Sequence, residues 1–467
     1  MVTRRRSPGL RWVPIFPLLC ALGAGPAALA QSGRYAVGEK GFRTIEEFAK
    51  AAPEDVVTRV REIERGLGPL GPHARFALHP DPADLLVVST LEPSRTKTLG
   101  KRLAAAHAVL RRKLVEPPAW KRPLRFTVKP PAAPVSRPDW EREIVLESVP
   151  GSGGLSRLGP GMAFDVAITE GLVTNRDESA ERPGTQVGAG ANGLLTVRVD
   201  KGRLDTARTG IFTAVSVKDP QIGGWAEAHF SLSDPPVRNF PIVILVSEEA
   251  GEYEAALRCL ETAFPSTPDR AAQVRAARTM SGFTSDYPPV VVFRDFMRRL
   301  PGDEKWVTEN RLVHALAHVV PPIYYGPLPF TIGEAIAWDV EMTMVKAVEA
   351  FCPYGGVTPD ADPTGWEKLV ADGLAKSPGA FDLGAALSLH AGGLAPESRD
   401  EDAARREMTL RCAATWAAIR YALDDPARNA KFRAFLHRLR GDSEWEGPPP
   451  ASEIAARFRS EVGDPFK

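Results

Sequence analysis

The chain has 467 residues, with 59 lysines and arginines against 58 aspartates and glutamates, so its net charge at pH 7 is +1. This length is sufficient for two or three domains with substantial cores. The charge is balanced, and no long run of basic residues follows the first 30 residues, which argues against a nucleic acid or an anionic membrane surface as the partner. An apolar content of 43% is typical of folded proteins and excludes a mainly disordered chain.

Residues 1–30 have the pattern of a signal peptide. Three consecutive arginines, Arg4–Arg6, precede an apolar run over residues 12–22, and an Ala-Leu-Ala sequence ends at Ala30. The apolar run is too short to span a bilayer, and no later segment is long and apolar enough to do so. We therefore expect cleavage after Ala30, a secreted or periplasmic/cell-envelope location, and no transmembrane segment in the mature protein.

Residues 31–130 are predicted to form an N-terminal α/β segment. An apolar run at residues 85–90 predicts a buried strand, the apolar spacing over residues 98–116 predicts a helix, and alternation at residues 124–128 predicts a second strand. A strand, a helix and a strand in this order suggest a single α/β unit.

Residues 131–238 are predicted to form a β-rich insert domain. Short stretches of alternating apolar and polar residues, separated by turn residues, are the pattern of a small sandwich or barrel. The stretches lie at residues 144–149, 164–169, 195–200, 211–217 and 226–232. Apolar runs at residues 240–246 and 289–293 then resume the α/β pattern, and we expect them to share one sheet with the strand at residues 85–90.

Residues 239–467 are predicted to form a mostly helical domain organised around two helices. The first helix contains His314 and His318, whose four-residue spacing places both imidazoles on one helix face. The second helix is predicted over residues 332–351 and carries Glu334 near its start. Two histidines and a carboxylate from a facing helix are a typical ligand set for zinc.

The ends of these two helices carry further signals. Pro321 and Pro322 are predicted to end the first helix, because proline lacks the amide donor and clashes with the preceding turn. Thr331 stands three residues before Glu334, which also fits a capping box, and a glutamate engaged in that way would be a poor metal ligand. Both interpretations of Glu334 stay open on the sequence.

One residue of the motif for zinc peptidase chemistry is missing. In H-E-x-x-H the inner glutamate takes a proton from the activated water, but that position is Ala315. A methyl group cannot accept a proton. The sequence therefore predicts a possible zinc site at His314, His318 and Glu334 without a catalytic residue.

The two helices resemble those of the gluzincin division of zincin metallopeptidases. Gluzincins often carry the pattern W-L-x-E-G-x-A-x-Y-x-E on the second helix, and residues 330–341 follow its spacing, with Glu341 at the outer acid. Together with the α/β layer and the later helices, the chain is similar to a family of secreted gluzincin-like bacterial proteins. The resemblance implies an α+β multi-domain fold, with a mostly helical zincin-like domain, an α/β layer and a β-rich insert.

The chain departs from the gluzincin pattern at other positions besides Ala315. Ala335 stands where glycine usually follows the ligand glutamate, and Trp338 occupies a position where thermolysin-like proteins place an acid that orients a ligand histidine. Glu341, one turn further along, could serve in that role.

Other side chains were considered as substitutes for the missing base. Glu309 lies on a different face of the first helix, while Asp339 and Glu341 lie far along the second. Tyr324 and Tyr325 could polarise a carbonyl but are weak bases near neutral pH.

The cysteine pattern excludes a disulfide-dense scaffold. After the predicted signal peptide the chain retains Cys259, Cys352 and Cys412, an odd number at wide spacings. Each has apolar neighbours, so we expect buried small hydrophobic side chains rather than a bridge or metal ligands.

Three functions are compatible with the sequence. The first is an exported pseudopeptidase that binds a peptide or an envelope protein through the zincin-like cleft, with a possible zinc ion. The second is an active zinc hydrolase with a non-standard base. The third is a metal-free structural or binding protein of the envelope, whose β-rich insert makes the contacts.

Overall fold

The computed structural model describes the chain from residue 75 onward, with gaps. The described residues are 75–79, 85–91, 93–117, 120–129, 141–148, 163–169, 185–188, 194–200, 209–229, 242–263, 274–275, 277–278, 282–286, 289–294, 307–326, 328–346, 348, 352, 363–377, 381–387, 400–441 and 450–467. The predicted signal peptide at residues 1–30 therefore lies outside the described residues.

The described residues contain both strands and helices. The strands are β1 (Arg75–His79), β2 (Leu85–Ser89), β3 (Arg122–Lys129), β4 (Glu141–Ser148), β5 (Ala163–Thr169), β6 (Thr185–Gly188), β7 (Leu194–Asp200), β8 (Thr209–Ser216), β9 (Ile222–His229), β10 (Ile242–Ser247), β11 (Gly282–Asp286) and β12 (Pro289–Arg294). The helices are α1 (Pro93–Leu110), which continues into a π-helical turn (Arg111–Val115), α2 (Ala250–Ala263), α3 (Val307–Tyr325), α4 (Phe330–Val345), α5 (Pro363–Lys376), α6 (Leu383–Ala386), α7 (Glu401–Asp424), α8 (Pro426–Gly441) and α9 (Ala451–Glu461).

One sheet has five strands in the order β1-β2-β10-β12-β11. Strands β2, β10 and β12 run parallel, while β1 and β11 lie antiparallel at the two edges. Every residue of β10 is buried, as expected for a central parallel strand that is covered on both faces. The pairing of β2 with β10 confirms that the two α/β stretches share one sheet, although the β-rich region separates them in sequence.

The other sheet has seven strands in the order β6-β5-β8-β9-β3-β4-β7, and its edge strands β6 and β7 approach each other. It includes β3, so the expected single α/β unit over residues 85–128 is wrong. Residues Arg122–Arg125 pair with β9 and residues Phe126–Lys129 pair with β4. The sheet thus begins before the predicted domain boundary at residue 131. Alternation in the sequence indicates a strand, but non-local packing decides its partners.

Helix α3 continues through Pro321 and Pro322 and ends at Tyr325, so the predicted stop at the prolines is wrong. Each proline removes a backbone hydrogen bond, but tertiary contacts hold the last turn in place. The hydroxyl of Tyr325 donates to the carbonyl of Leu114 in the π-helical turn. The helix closes at Gly326, whose φ of 73° suits glycine and whose amide donates to the Pro322 carbonyl at 2.9 Å.

Helix α4 is shorter than the predicted helix over residues 332–351, because it begins at Phe330 and ends at Val345. Lys346 follows it in the left-handed conformation, with φ of 61°. A left-handed residue in this position ends a helix and turns the chain back. Cys352, six residues after Lys346, lies beside the same helix, with its amide 3.4 Å from the Glu334 carboxylate.

A row of three tryptophans fixes α4 in the core. Trp338 of α4 packs edge-on against Trp366 of α5 with ring centroids 5.5 Å apart, and Trp366 packs against Trp416 of α7 at 6.1 Å. Such aromatic pairs contribute about 0.5–1.5 kcal/mol each beyond the area they bury. The tryptophans hold α4 against α5 and α7, while another face of α4 packs against α3.

The described residues therefore form an α+β fold, in which a mixed sheet and a group of helices accompany a separate all-β sheet. No helix among them has the length and hydropathy needed to cross a bilayer.

Candidate metal centre

Helices α3 and α4 bring the three predicted ligands together. The His318 Nε2 atom lies 2.9 Å from Glu334 Oε1, and the His314 Nε2 atom lies 3.6 Å from the same oxygen. The two Nε2 atoms are 3.0 Å apart. The side chain of Glu334 is fully buried, whereas 20% of the His318 side chain is exposed. The four-residue spacing on α3 thus points both imidazoles at one carboxylate of α4.

Gly333 of α4 lies beside the His318 imidazole, and a Cβ atom at this position would make only ordinary van der Waals contact with the ring. A Cβ atom at this position would lie 3.4 Å from His318 Nδ1 and 3.7 Å from its Cε1. The imidazole therefore packs directly on the backbone of α4, one residue before the carboxylate that it contacts.

The proposed capping role of Glu334 is wrong. Helix α4 begins after Pro329, two residues earlier than a capping box at Thr331 requires, and no side chain caps it. The Thr331 hydroxyl instead donates to the carbonyl of Leu387 at 3.2 Å. The Glu334 carboxylate is consequently directed at the histidines rather than at the start of its own helix.

A second carboxylate of α4 lies behind His314. Glu341 is two turns after Glu334, and its Oε1 atom lies 3.3 Å from His314 Nδ1, the ring nitrogen that faces away from Glu334. Trp338, one turn earlier, is fully buried in the tryptophan row. The structure thus places Glu341 where the sequence suggested it could substitute for an acid at Trp338. A carboxylate behind a ligand histidine fixes its tautomer and ring orientation.

Cys352 is the residue that the sequence analysis missed. Its Sγ atom lies 3.6 Å from His314 Nε2 and 3.5 Å from His318 Nε2, so it is not simply a buried hydrophobic side chain as predicted. The error follows from the overlong second helix, which would have carried Cys352 away from the histidines. Cys412 is buried in α7, whereas the Cys259 side chain lies outside the part of the chain that the structure describes.

His314, His318, Glu334 and Cys352, called here the four-donor cluster, shift one another's pKa values. Burial alone would lower the pKa of His318, but Cys352 and Glu334 raise it to about 9. The pKa of His314 also rises in spite of burial, chiefly through Glu334. Burial would raise the pKa values of Glu334 and Cys352, yet the two imidazoles lower both. Protonated imidazoles thus stabilise the anionic forms of the Glu334 carboxylate and the Cys352 thiol. In a metal site the cation takes the place of those protons.

Three of the five alternative bases suggested by the sequence, Asp339, Tyr324 and Tyr325, have partners outside the cluster. Asp339 forms an ion pair with Lys113, with Nζ and Oδ2 2.5 Å apart. The Tyr324 hydroxyl donates to Glu227 at 2.9 Å, and Tyr325 bonds to the backbone of the π-helical turn. Glu341 lies behind His314. The side chain of Glu309 lies outside the described residues.

Ala315 lies on α3 between the two histidines and is partly buried against the core. Its methyl group offers neither a proton acceptor nor a metal ligand. The structure therefore brings two imidazoles and a carboxylate together from adjacent helices, with a methyl group at the residue after the first histidine.

The four-donor cluster fits a metal ion. Its four donor atoms lie within 4.8 Å of one another, and each can offer a lone pair when deprotonated. Imidazole, thiolate and carboxylate are the ligands that zinc takes in proteins. A metal ion can therefore be held by residues of α3, residues of α4 and the segment that follows α4.

No protein-family model matches the sequence, and no match is found among curated proteins or solved structures. The chemistry of the site itself is therefore what indicates a function for this chain.

Proposed function

We propose that this protein is an exported, gluzincin-like pseudopeptidase in which His314, His318 and Glu334 hold a zinc ion. The observation that supports this proposal most is the convergence of two helical imidazoles on a carboxylate of the adjacent helix, with a methyl group at residue 315. The order of the ligands along the chain, and the acid behind the first histidine, agree with the gluzincin pattern.

Zinc is the metal that this donor set favours. Nitrogen, oxygen and sulfur donors on closely packed helices suit its four-coordinate sites, whereas magnesium and calcium require oxygen ligands. When bound, zinc supplies Lewis-acid polarisation of a carbonyl or of water. The surrounding residues contribute a fixed tautomer at His314 through Glu341, and partial access to solvent at His318.

Ala315 is the reason to propose binding rather than cleavage. A positioned general base contributes roughly 10²–10⁴-fold to the rate of a hydrolytic step. Among the candidates to replace it, Asp339 pairs with Lys113 and Tyr324 donates to Glu227, while Glu341 faces His314 Nδ1 on the side of the ring away from Glu334. We therefore propose that the site no longer supports efficient peptide hydrolysis.

The proposed ligand is an extended peptide or a segment of an envelope protein. The antiparallel strand β11 is the outer strand of the described five-stranded sheet, and it contacts α3. An extended peptide can add to such a sheet edge through backbone hydrogen bonds. The predicted signal peptide supports a partner in the secreted or envelope compartment.

The zinc content of the purified mature protein tests this proposal. We expect close to one zinc ion per chain in the native protein, and loss of zinc in His318→Ala. His437→Ala is the matched control, because His437 is another partly buried helical histidine that does not belong to the cluster, and its ring contacts that of Tyr325 with centroids 4.5 Å apart. Equal zinc in all three proteins, or none in the native protein, would contradict the proposal and favour a metal-free binding protein.

A sensitive peptide-cleavage assay on the same zinc-loaded protein distinguishes the pseudopeptidase from an active hydrolase. We expect no cleavage above that of His318→Ala. Cleavage that depends on His318 and zinc would mean that a different base has replaced residue 315.

A further inference from the structure

We infer that Cys352 is a fourth protein ligand of the metal, which closes the coordination position that a zinc hydrolase leaves open. This inference rests on the proposed metal binding by His314, His318 and Glu334, and it adds a residue from outside the two helices. With Cys352 as a ligand, the site is a closed centre with four protein ligands, rather than a three-ligand catalytic site that lacks its base.

The distances around the sulfur support ligation. Zinc–sulfur and zinc–nitrogen bonds of about 2.3 Å and about 2.0–2.1 Å place a tetrahedral pair of sulfur and nitrogen ligands about 3.6 Å apart. The Cys352 Sγ atom lies 3.6 Å from His314 Nε2 and 3.5 Å from His318 Nε2. Both sulfur–nitrogen distances thus match edges of a tetrahedron around one ion, and both involve the same ring nitrogens that face Glu334.

The backbone of Cys352 is also attached to the site. Its amide donates to the Oε2 atom of Glu334 at 3.4 Å, while the Oε1 atom of the same carboxylate faces the histidines. One oxygen of Glu334 therefore remains directed at the shared centre, and the other holds the residue that supplies the thiolate. Helix α4 ends at the left-handed Lys346, six residues before Cys352.

The chemical consequence follows from the number of protein ligands. Catalytic zinc sites use three protein ligands and keep one position for water or substrate, whereas structural sites use four. For Cys352 to bind, its S–H bond would break with loss of the proton to solvent, and the sulfur would bond to the metal in place of a water molecule, with no change of oxidation state. A thiolate in this position excludes water from the metal, so the absence of a base at Ala315 and the closed fourth position are two separate barriers to hydrolysis.

Cobalt substitution tests the inference directly. Thiolate ligation of Co²⁺ gives a near-ultraviolet charge-transfer band in addition to the visible d–d bands. We expect that band in the native protein, its loss in Cys352→Ala with the d–d bands retained, and its retention in Cys412→Ala, which removes the buried thiol of α7. The metal affinity of Cys352→Ala should fall at least about tenfold, since even partners behind the ligands contribute that much.

Access to the metal supplies a second readout. Adding azide to the cobalt-loaded Cys352→Ala protein should change the d–d bands, because the substitution opens one position. The native protein and Cys412→Ala should not respond.

The outcomes separate this inference from the proposed function. In one result the native protein binds cobalt through His318 without showing a charge-transfer band, and in another it responds to azide as Cys352→Ala does. Either result would overturn Cys352 as the fourth ligand and leave the three-ligand site intact. A native protein that binds neither cobalt nor zinc would overturn both. A band that survives in Cys352→Ala and disappears in Cys412→Ala would show that Cys412 supplies the thiolate, and the inference would be overturned.

Discussion

Two buried polar clusters lie along α3, and they are built differently. One is the four-donor cluster around His314. The other joins Arg111, Glu227 and Tyr324, called here the arginine cluster, in which Arg111 donates to the Tyr324 hydroxyl at 2.7 Å and to Glu227 at 2.6 Å, while Tyr324 donates to Glu227 at 2.9 Å. It connects the π-helical turn, the seven-stranded sheet and the last turn of α3.

The two clusters differ in whether their members can lose a proton. A guanidinium is permanently charged and only donates, so each contact of the arginine cluster joins a donor to an acceptor and compensates the buried charge. The members of the four-donor cluster can each lose a proton and then offer a lone pair to a cation. A buried group of titratable lone-pair donors therefore indicates a metal site, whereas a group that contains a guanidinium indicates an ion pair between packed elements.

Removing the permanent cation should have the largest effect on stability. Arg111→Ala is expected to lower the free energy of unfolding by about 3–5 kcal/mol, because it removes the cation that compensates the largely buried charge of Glu227. Urea denaturation measures this change, and zinc content per folded chain should stay at the native level. Arg405→Ala is the control, since its 3.6 Å pair with Glu401 is exposed and should contribute only about 0–1 kcal/mol. Loss of zinc in Arg111→Ala would show that the two clusters are not independent.

If the proposed pseudopeptidase site is correct, the four-donor cluster should support hydrolysis only when a base is added at residue 315 and the thiol of Cys352 is removed. Ala315→Glu supplies a base and Cys352→Ala opens the metal, so the double variant should cleave peptides about a hundredfold faster than either single variant, a barrier change of about 2.7 kcal/mol. Cleavage of a fluorogenic peptide library measures the rates.

The matched control for that experiment is Ala315→Gln combined with Cys352→Ala, which has nearly the same size but no base. Full activity in Ala315→Glu alone would mean that Cys352 does not block the metal in solution.

The carboxylate behind His314 should influence metal affinity without acting as a ligand. Glu341→Gln keeps the shape of the side chain but removes its charge, and we expect about tenfold to a hundredfold weaker zinc binding in competition with a chelator. Asp339→Asn is the matched control on the same helix, since Asp339 pairs with Lys113 instead of a histidine. Equal losses in both variants would assign the effect to the stability of α4 rather than to His314.

The smallest expected effect concerns the turn that returns the chain to the cluster. A β-branched residue is disfavoured in the left-handed conformation of Lys346, so Lys346→Val should be less stable than Lys346→Gly by about 1–2 kcal/mol. Thermal unfolding measures the difference, and Cys352 should react faster with a thiol reagent in the valine variant. Equal stability of the two variants would mean that this residue is not left-handed in solution.

The sequence alone determined the features that depend on local geometry. The spacing of His314 and His318 is one helical turn, so the shared face of their imidazoles follows from the geometry of α3 itself. The continuous apolar run of β10 likewise predicted a buried strand. The absence of a base at Ala315 required no structure, since it is a property of the side chain.

Tertiary structure decided the features that depend on distant contacts. The prolines predicted that α3 ends at Pro321, but the helix continues to Tyr325, whose hydroxyl bonds to the π-helical turn. Helical periodicity predicted that α4 continues to residue 351, whereas the structure ends it at Val345, before the left-handed Lys346. Cys352 reaches the histidines across 34 and 38 residues of chain. No local pattern encodes such a return, because the position of the thiol is set by where α4 stops and by the carboxylate that holds the Cys352 backbone.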